Sequence, residues 1–311
     1  MTDTGPAIAD PDSAPIRIRD VAEADREAVD RLAGLWWPWV GRQAPTVEEW
    51  LESHEGIIRV AETAGGSIVG TQRLEYLDRT QCWLSGLGVD SVFRGQGVAG
   101  LLLQDAIRLA RSDRMLTVRY VTETVNDAVH QLSLDNALRP RGTWLNFTKA
   151  MDAAACLVAR QKTELSPTNT VRLNPSDRLR VLSLLHASGR TLFVEGLAWR
   201  ILDDAAVADV IENKKAFFAR SGVGGWGLAV IGERTPTTLE VTLFGADPGC
   251  AQSLLEHLRT MACESTGGTT LTIHAPQDTP AAGLLAAAVR RGEYRPVTEH
   301  PLRVWELSLT G

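Results

Sequence analysis

The segment Val89-Asp90-Ser91-Val92-Phe93-Arg94-Gly95-Gln96-Gly97-Val98-Ala99-Gly100, followed by Leu101-Leu102-Leu103, constrains the fold most. It joins an apolar strand to an amphipathic helix through a glycine-rich turn. Gly95 and Gly97 have no Cβ, so the backbone there reaches left-handed dihedrals and an outside group can approach the amides closely. The first N–H groups of the helix have no intrahelical acceptor, and the helix macrodipole adds positive potential at that end. Such a turn suits an anion such as a pyrophosphate, and Arg94 places a fixed positive charge beside it.

Two kinds of nucleotide site use this device. Gly95-Gln96-Gly97-Val98-Ala99-Gly100 reads as GxGxxG, the dinucleotide pattern, with Glu123 near the place of the ribose-binding acid. That pattern should begin directly at a strand end and open the βαβ unit. Here residues 90–94 intervene, and a long stretch of other structure comes first. The segment more closely resembles the Gcn5-related N-acetyltransferases (GNAT), whose loop Arg/Gln-x-x-Gly-x-Gly/Ala is matched by Arg94, Gly97 and Ala99. Ser91 stands where that family commonly has proline.

Composition fits this reading. With 311 residues and 44% hydrophobic content the chain is long enough for two domains with separate cores. A net charge of -6 gives no global attraction to nucleic acid. Cys82, Cys156, Cys250 and Cys263 are widely spaced with no CxxC pair, which predicts reduced thiols in a cytoplasmic protein and no metal site. Residues 1–15 are rich in Asp, Pro and Ala and read as a disordered leader, and no apolar run is long enough for a membrane span.

Along residues 16–151 the patterns predict a strand at 16–19, a helix at 22–35, a Trp-rich loop and a short helix at 46–54. Strands at 57–62, 67–77 and 81–89 follow, the first two joined by Gly65-Gly66. A helix at 97–112, a strand at 116–123, a helix at 127–136 and a strand at 143–151 complete the order βααβββαβαβ of the resembling fold. Residues 152–174 read as a linker with a helical start at 153–162. Residues 175–311 read as a degenerate copy, with a hairpin at 225–233 and 237–245, helices at 250–264 and 280–292, and strands at 269–274 and 297–309. The predicted fold class is α/β (α+β): two tandem GNAT-like domains, each with a mixed, mostly antiparallel sheet flanked by helices. The copy replaces the glycine turn with Gly245-Ala246-Asp247-Pro248-Gly249-Cys250, where Asp247 carries the wrong charge for phosphate.

The resemblance implies acetyl-CoA or another acyl-CoA as co-substrate, with no metal. Its pyrophosphate would lie on Arg94, Gly95, Gln96, Gly97, Val98, Ala99 and Gly100, and its pantetheine arm along the strand ending in Leu87, Gly88 and Val89. A backbone N–H of that strand would polarise the thioester carbonyl, and an amine would attack it directly with no covalent enzyme intermediate. The family's N-x-x-A-x-x-L-Y segment is matched at Asn126 and Leu132, but Ser133 stands in place of the tyrosine that protonates the thiolate. Ser133 is left to hold a water or to hydrogen-bond the sulfur. Glu123, Glu75 and Asp78 are candidate bases with Glu123 first, each with the alternative of a solvated carboxylate; His130 has the alternative of a core-edge position. Trp36, Trp37 and Trp39 either wall the acceptor pocket or pack the helices onto the sheet.

The expected activity is acyl transfer to an amine of a small molecule, of the kind met in secondary metabolism or antibiotic modification. A carrier-protein phosphopantetheine donor, an aminoacyl-tRNA donor, and a non-catalytic acyl-CoA-binding regulator stay open as alternatives. Oligomeric state is not legible from these patterns.

Overall fold

Strands form where apolar side chains alternate, and helices where they recur every three or four residues. The computed structural model describes residues 15–33, 48, 56–165, 169–196, 198–222, 224–245, 247–264 and 269–310. It divides the chain into two compact units. The first comprises Met1–Tyr120, Asp127–Arg139 and Trp305–Gly311; the second comprises Val121–Asn126 and Pro140–Val304. The chain's last residues therefore return to the unit in which it began.

In the first unit, β1 (Arg17–Asp20), β2 (Gly56–Glu62), β3 (Ile68–Tyr76) and β4 (Gln81–Val89) pair antiparallel in that order, and β5 (Thr117–Glu123) pairs parallel with β4. The helices are α1 (Arg26–Ala33), α2 (Val98–Ser112) and α3 (Asp127–Asp135). The glycine turn thus connects β4 to α2, as its sequence predicts. Helix α2 buries Val98, Leu102, Leu103, Ala106, Ile107 and Ala110 along one stripe. That stripe meets Leu74, Cys82, Leu84 and Val118 of the sheet at one end and Ala61 and Val69 at the other. Each large apolar side chain sealed in this way contributes about 1.5–3 kcal/mol. Helix α1 covers Val60 and Ile68 with Val29 and Leu32. The predicted helix at 46–54 and Trp36, Trp37 and Trp39 lie outside the described residues, apart from Glu48.

The second unit has the strand order β6 (Arg139–Met151), β13 (Thr269–Pro276), β12 (Thr238–Gly245), β11 (Trp226–Arg234), β10 (Ala216–Arg220), β7 (Thr170–Arg172). Its one parallel pair among the described ladders is β12 with β13, joined by α7 (Pro248–Ala262). Strand, helix and parallel strand follow one another here in the same order as in β4–α2–β5. The unit also holds α4 (Ala153–Leu165), α5 (Arg178–Ser188), α6 (Asp204–Glu212), α8 (Pro280–Arg290) and the short strand β14 (Arg295–Pro296) on β6. A separate hairpin joins β8 (Leu192–Glu195) to β9 (Ala198–Ile201), and β15 is Leu302–Ser308. The expected linker carries a full helix, α4, and α4 is bonded to α7 through a disulfide between Cys156 and Cys263. This corrects the expectation of four reduced thiols. The two cysteines are 107 residues apart in sequence, but their Cα atoms lie 5.5 Å apart once α4 packs on α7. Cys82 and Cys250 are free and buried.

Candidate functional site

Strand β4 changes character halfway along. Thr71 pairs with Gly88 and Arg73 with Ser85, so Gly86 and Leu87 together oppose Gln72 in a β-bulge. Gly86 takes φ 63°, which an L side chain adopts only with strain. On its other edge β4 pairs with β5 from Gln81↔Thr117 to Trp83↔Arg119, and the ladder stops there. Beyond that point Leu84–Val89 have no ladder partner on the β5 side among the described residues. Leu87, Gly88 and Val89, which lie beyond the end of that ladder, lead into the turn.

The turn itself is exposed from Arg94 to Gly97. Gly95 and Gly97 have φ 76° and 85°, and a Cβ on either would meet nothing within 4 Å. Gly97 is the N-cap of α2 and offers no side-chain cap; the first helical backbone bond runs from Leu101 N to Gly97 O at 3.1 Å. The N–H groups of Val98, Ala99 and Gly100 therefore have no hydrogen-bond acceptor among the described residues. Arg94 Nε donates to Val89 O at 3.1 Å, which anchors the guanidinium against the strand end and leaves both Nη groups unpaired among the described residues. Gln96 Nε2 donates to Val92 O at 3.0 Å and closes the turn on itself. Asp90 caps the preceding short turn at Val92 N, and its charge is taken up by Arg31 Nη1 at 2.5 Å. That guanidinium, with the Val92 N–H, holds the Asp90 carboxyl below the usual carboxylate range.

The second unit closes the equivalent helix end. Asp247 is the N-cap of α7 and accepts from Cys250 N at 2.9 Å, while Pro248 has no N–H to offer. A carboxylate built into the chain sits where the first unit leaves free amides.

The side chains expected to move protons are placed as follows. Glu75 is paired with the buried Arg73 and accepts from Ser85 Oγ at 3.1 Å. Asp78 accepts from Thr80 N, Thr80 Oγ1, Gln81 N and Gln81 Nε2 at 2.7–2.9 Å, a turn-building role. Glu123, half-buried, ends β5 and falls in the second unit, as does Asn126, whose Nδ2 donates to Thr122 Oγ1 at 3.0 Å. Ser133 is fully buried, and its Oγ donates to Val129 O at 2.6 Å while meeting the Tyr120 hydroxyl. Its hydroxyl is thus engaged by the helix backbone and by Tyr120. His130 accepts from Trp305 Nε1 at 3.2 Å through Nδ1, a core-edge contact.

Sequence reasoning misses the polar middle of β3. Thr71 and Gln72 are buried beside the bulge, and Thr71 Oγ1 and Gln72 Oε1 have no partner among the described residues. The signal is Thr-Gln-Arg interrupting an apolar strand. Among the described residues, no group of His, Cys, Asp and Glu could hold a metal, and no helix is long and apolar enough to cross a membrane.

The sequence profile of the acetyltransferase (GNAT) family matches residues 25–133, the stretch that carries the bulge and the turn. Residues 25–133 are a GNAT acetyltransferase domain. The fold of the whole chain also occurs in GNAT proteins. A GCN5-related N-acetyltransferase from Sphaerobacter thermophilus aligns at TM-score 0.54 and 14% identity over 95% of this chain and 96% of its own. A protein from Thermoplasma acidophilum proposed to be an acetyltransferase aligns at TM-score 0.52 and 15% identity over 94% of this chain and 99% of its own. No curated protein matches the chain in sequence. GNAT enzymes use acetyl-CoA, which assigns the acyl donor of this domain by class.

Proposed function

We propose that the first unit transfers an acyl group from acyl-CoA to the amine of a small molecule. The observation that carries this is the join of the bulged, unpaired half of β4 to an uncapped helix N-terminus. In this reading the pyrophosphate lies on the free amides of Val98–Gly100 with Arg94 beside it, and the pantetheine arm runs along Leu87–Val89. A main-chain N–H in that stretch stabilises the oxyanion as the amine nitrogen attacks the thioester carbon. The C–S bond then breaks, coenzyme A leaves as thiolate, and the amine's proton passes to water. The unpaired main chain favours direct attack. Burial also pushes the Cys82 thiol up to about 12, so it offers no thiolate at neutral pH for an acyl-enzyme. Trp36, Trp37 and Trp39 are proposed as the acceptor wall.

Calorimetry of the full chain with acetyl-CoA, coenzyme A and NAD, followed by mass-spectrometric detection of acyl transfer to a panel of amines, tests the reading. Binding of coenzyme A and its acetyl ester is expected. Arg94→Ala should weaken both by about ten-fold, the worth of one charge-assisted hydrogen bond. Binding of NAD alone, or unchanged coenzyme A affinity in Arg94→Ala, would count against it.

A further inference from the structure

The second unit holds a cavity of about 300 Å³ that the acyl-transfer reading does not use. Ala155 and Val158 of α4 belong to its apolar wall, and Lys149 of β6, Lys162 of α4, Arg259 of α7 and Glu293 to its charged side. The Cys156–Cys263 bond fixes α4 on α7, so the apolar wall and Arg259 keep their spacing.

Lys149 lines this cavity without a carboxylate of its own. Its Nζ donates to Glu293 O at 2.9 Å and lies 5.6 Å from the centre of the Tyr294 ring. The Glu293 carboxylate is taken by two guanidinium groups: Oε2 accepts from Arg259 Nη2 at 3.1 Å and Oε1 from Arg291 Nε at 2.6 Å. Lys149 therefore has no ion pair among the described residues. Burial, with Arg259 beside it, pushes its ammonium below the usual lysine range; Lys162 adds to this, and Glu293 and Asp152 offset it in part. Once neutral, the amine keeps an N–H on the Glu293 carbonyl and still has its lone pair. The chain's other three lysines are placed differently: Lys162 and Lys214 are exposed, and Lys215 is paired with Glu195 at 3.3 Å.

We infer that Lys149 is a site of covalent acylation by a phosphate-bearing acyl donor, an acyl phosphate or acyl-CoA. Nζ attacks the acyl carbon, and the bond from that carbon to oxygen or sulfur breaks. Phosphate or thiolate leaves with the electron pair, and the amine's proton passes to water. The lining sets Lys149, Lys162 and Arg259 against the single carboxylate of Glu293, a positive balance that draws such a donor in. The product fits the same place. The new amide retains an N–H for Glu293 O, its acyl group lies on Ala155 and Val158, and a charge is removed from beside Arg259.

The test is incubation of the full-length chain with acetyl phosphate and, separately, with acetyl-CoA, followed by mass-spectrometric rates for all four lysines. Lys149 is expected to acetylate about ten-fold faster than Lys162 and Lys214 with at least one donor, and the donor that shows this lead is the source. The acetyl phosphate arm is independent of any coenzyme A site in the first unit. Lys162→Gln should slow Lys149 towards that donor by about three-fold and leave its rate with an uncharged succinimidyl acetate as it was. Val158→Trp fills the cavity from a half-exposed helix position and should remove the lead. The inference is overturned if Lys149 is no faster than Lys162 and Lys214 with both donors, if the Lys162→Gln change leaves the donor rate unaltered, or if the lead survives Val158→Trp.

Discussion

Tyr120 and Ser133 form one hydrogen-bonded chain that ends on the backbone: the tyrosine hydroxyl meets Ser133 Oγ, and Ser133 donates to Val129 O at 2.6 Å. With the serine proton committed to the carbonyl, the tyrosine proton is committed to the serine. Both protons are thus directed along this chain, and a tyrosine does stand beside position 133. Burial pushes the Tyr120 phenol up to about 12 despite the serine contact. Tyr120→Phe should therefore cost about 1 kcal/mol of stability in thermal unfolding and leave the alkaline limb of the pH–rate profile in place. Loss of that limb with stability retained would make Tyr120 the acid.

The turn glycines separate backbone demand from crowding. Gly97 has φ 85° with open space where a methyl would project, so Gly97→Ala should cost about 1–2 kcal/mol through the backbone alone, and coenzyme A affinity should fall as the turn distorts. Gly100 lies inside α2, where a Cβ would come no closer than 3.8 Å to Leu132 Cδ1. Gly100→Ala should raise stability by about 0.5–1 kcal/mol. Melting curves and calorimetry on the pair check both signs.

These two glycines also mark the boundary between what the sequence reveals and what it hides. The turn is legible because its residue types act locally: glycine permits the dihedral, and the next four residues begin a helix. The bulge at Gly86 escapes such a reading, although a lone glycine inside a strand pattern is its usual signal. Asp247 is recognisable from sequence as unfavourable to phosphate, but its capping bond to Cys250 N needs coordinates. Residues 143–151 read as a strand correctly, while nothing in their alternation says which strand they pair with. Their partner is β13, far along the chain. The Cys156–Cys263 bond is hidden for the same reason, since spacing rules address cysteines that are close in sequence.

That bond yields a direct count. The chain has four cysteines, and Cys82 and Cys250 are the free ones. Thiol titration of unreduced, denatured protein should find two reactive groups, rising to four after reduction. Reduction should also lower stability by about 2–4 kcal/mol, since the crosslink closes a long loop in the unfolded chain. Four thiols before reduction would show that the protein carries these cysteines reduced.

Asp25 predicts the acid limb of stability. Its carboxylate takes Arg19 Nη1 at 2.6 Å and Nη2 at 2.9 Å and also caps Ala22 N at 2.7 Å. The Arg19 bonds, with help from the Ala22 N–H, hold its carboxyl below the usual carboxylate range against the cost of burial. A folded pKa below the unfolded one gives stability that is present above the unfolded carboxylate range and is lost as pH falls through the folded pKa. Asp25→Asn should cost about 1–3 kcal/mol at neutral pH, and the gap to the unaltered chain should close on acidification. A gap that stays constant down to the acid transition would refute the assignment.

Arg119 and Glu306 test whether the end of the chain completes the first unit. Arg119 is fully buried on β5; its Nε reaches Glu306 Oε2 at 2.5 Å, Nη1 reaches Gln81 Oε1 at 2.8 Å and Nη2 reaches Thr117 Oγ1 at 2.9 Å. A guanidinium sealed from water depends on that carboxylate, so Glu306→Ala should cost about 3–5 kcal/mol. Replacing both partners, Arg119→Met with Glu306→Leu, should cost much less, because no charge is then left buried alone. Removing residues 305–311 takes away Glu306 together with Trp305 and Leu307, which are buried in the core formed by Leu74, Cys82 and Leu103. Hydrogen exchange on the truncated chain should show protection lost in β4, β5 and α2 with β11, β12 and α7 still protected. Loss spread evenly over both sets would mean that these residues do not belong to the first unit alone.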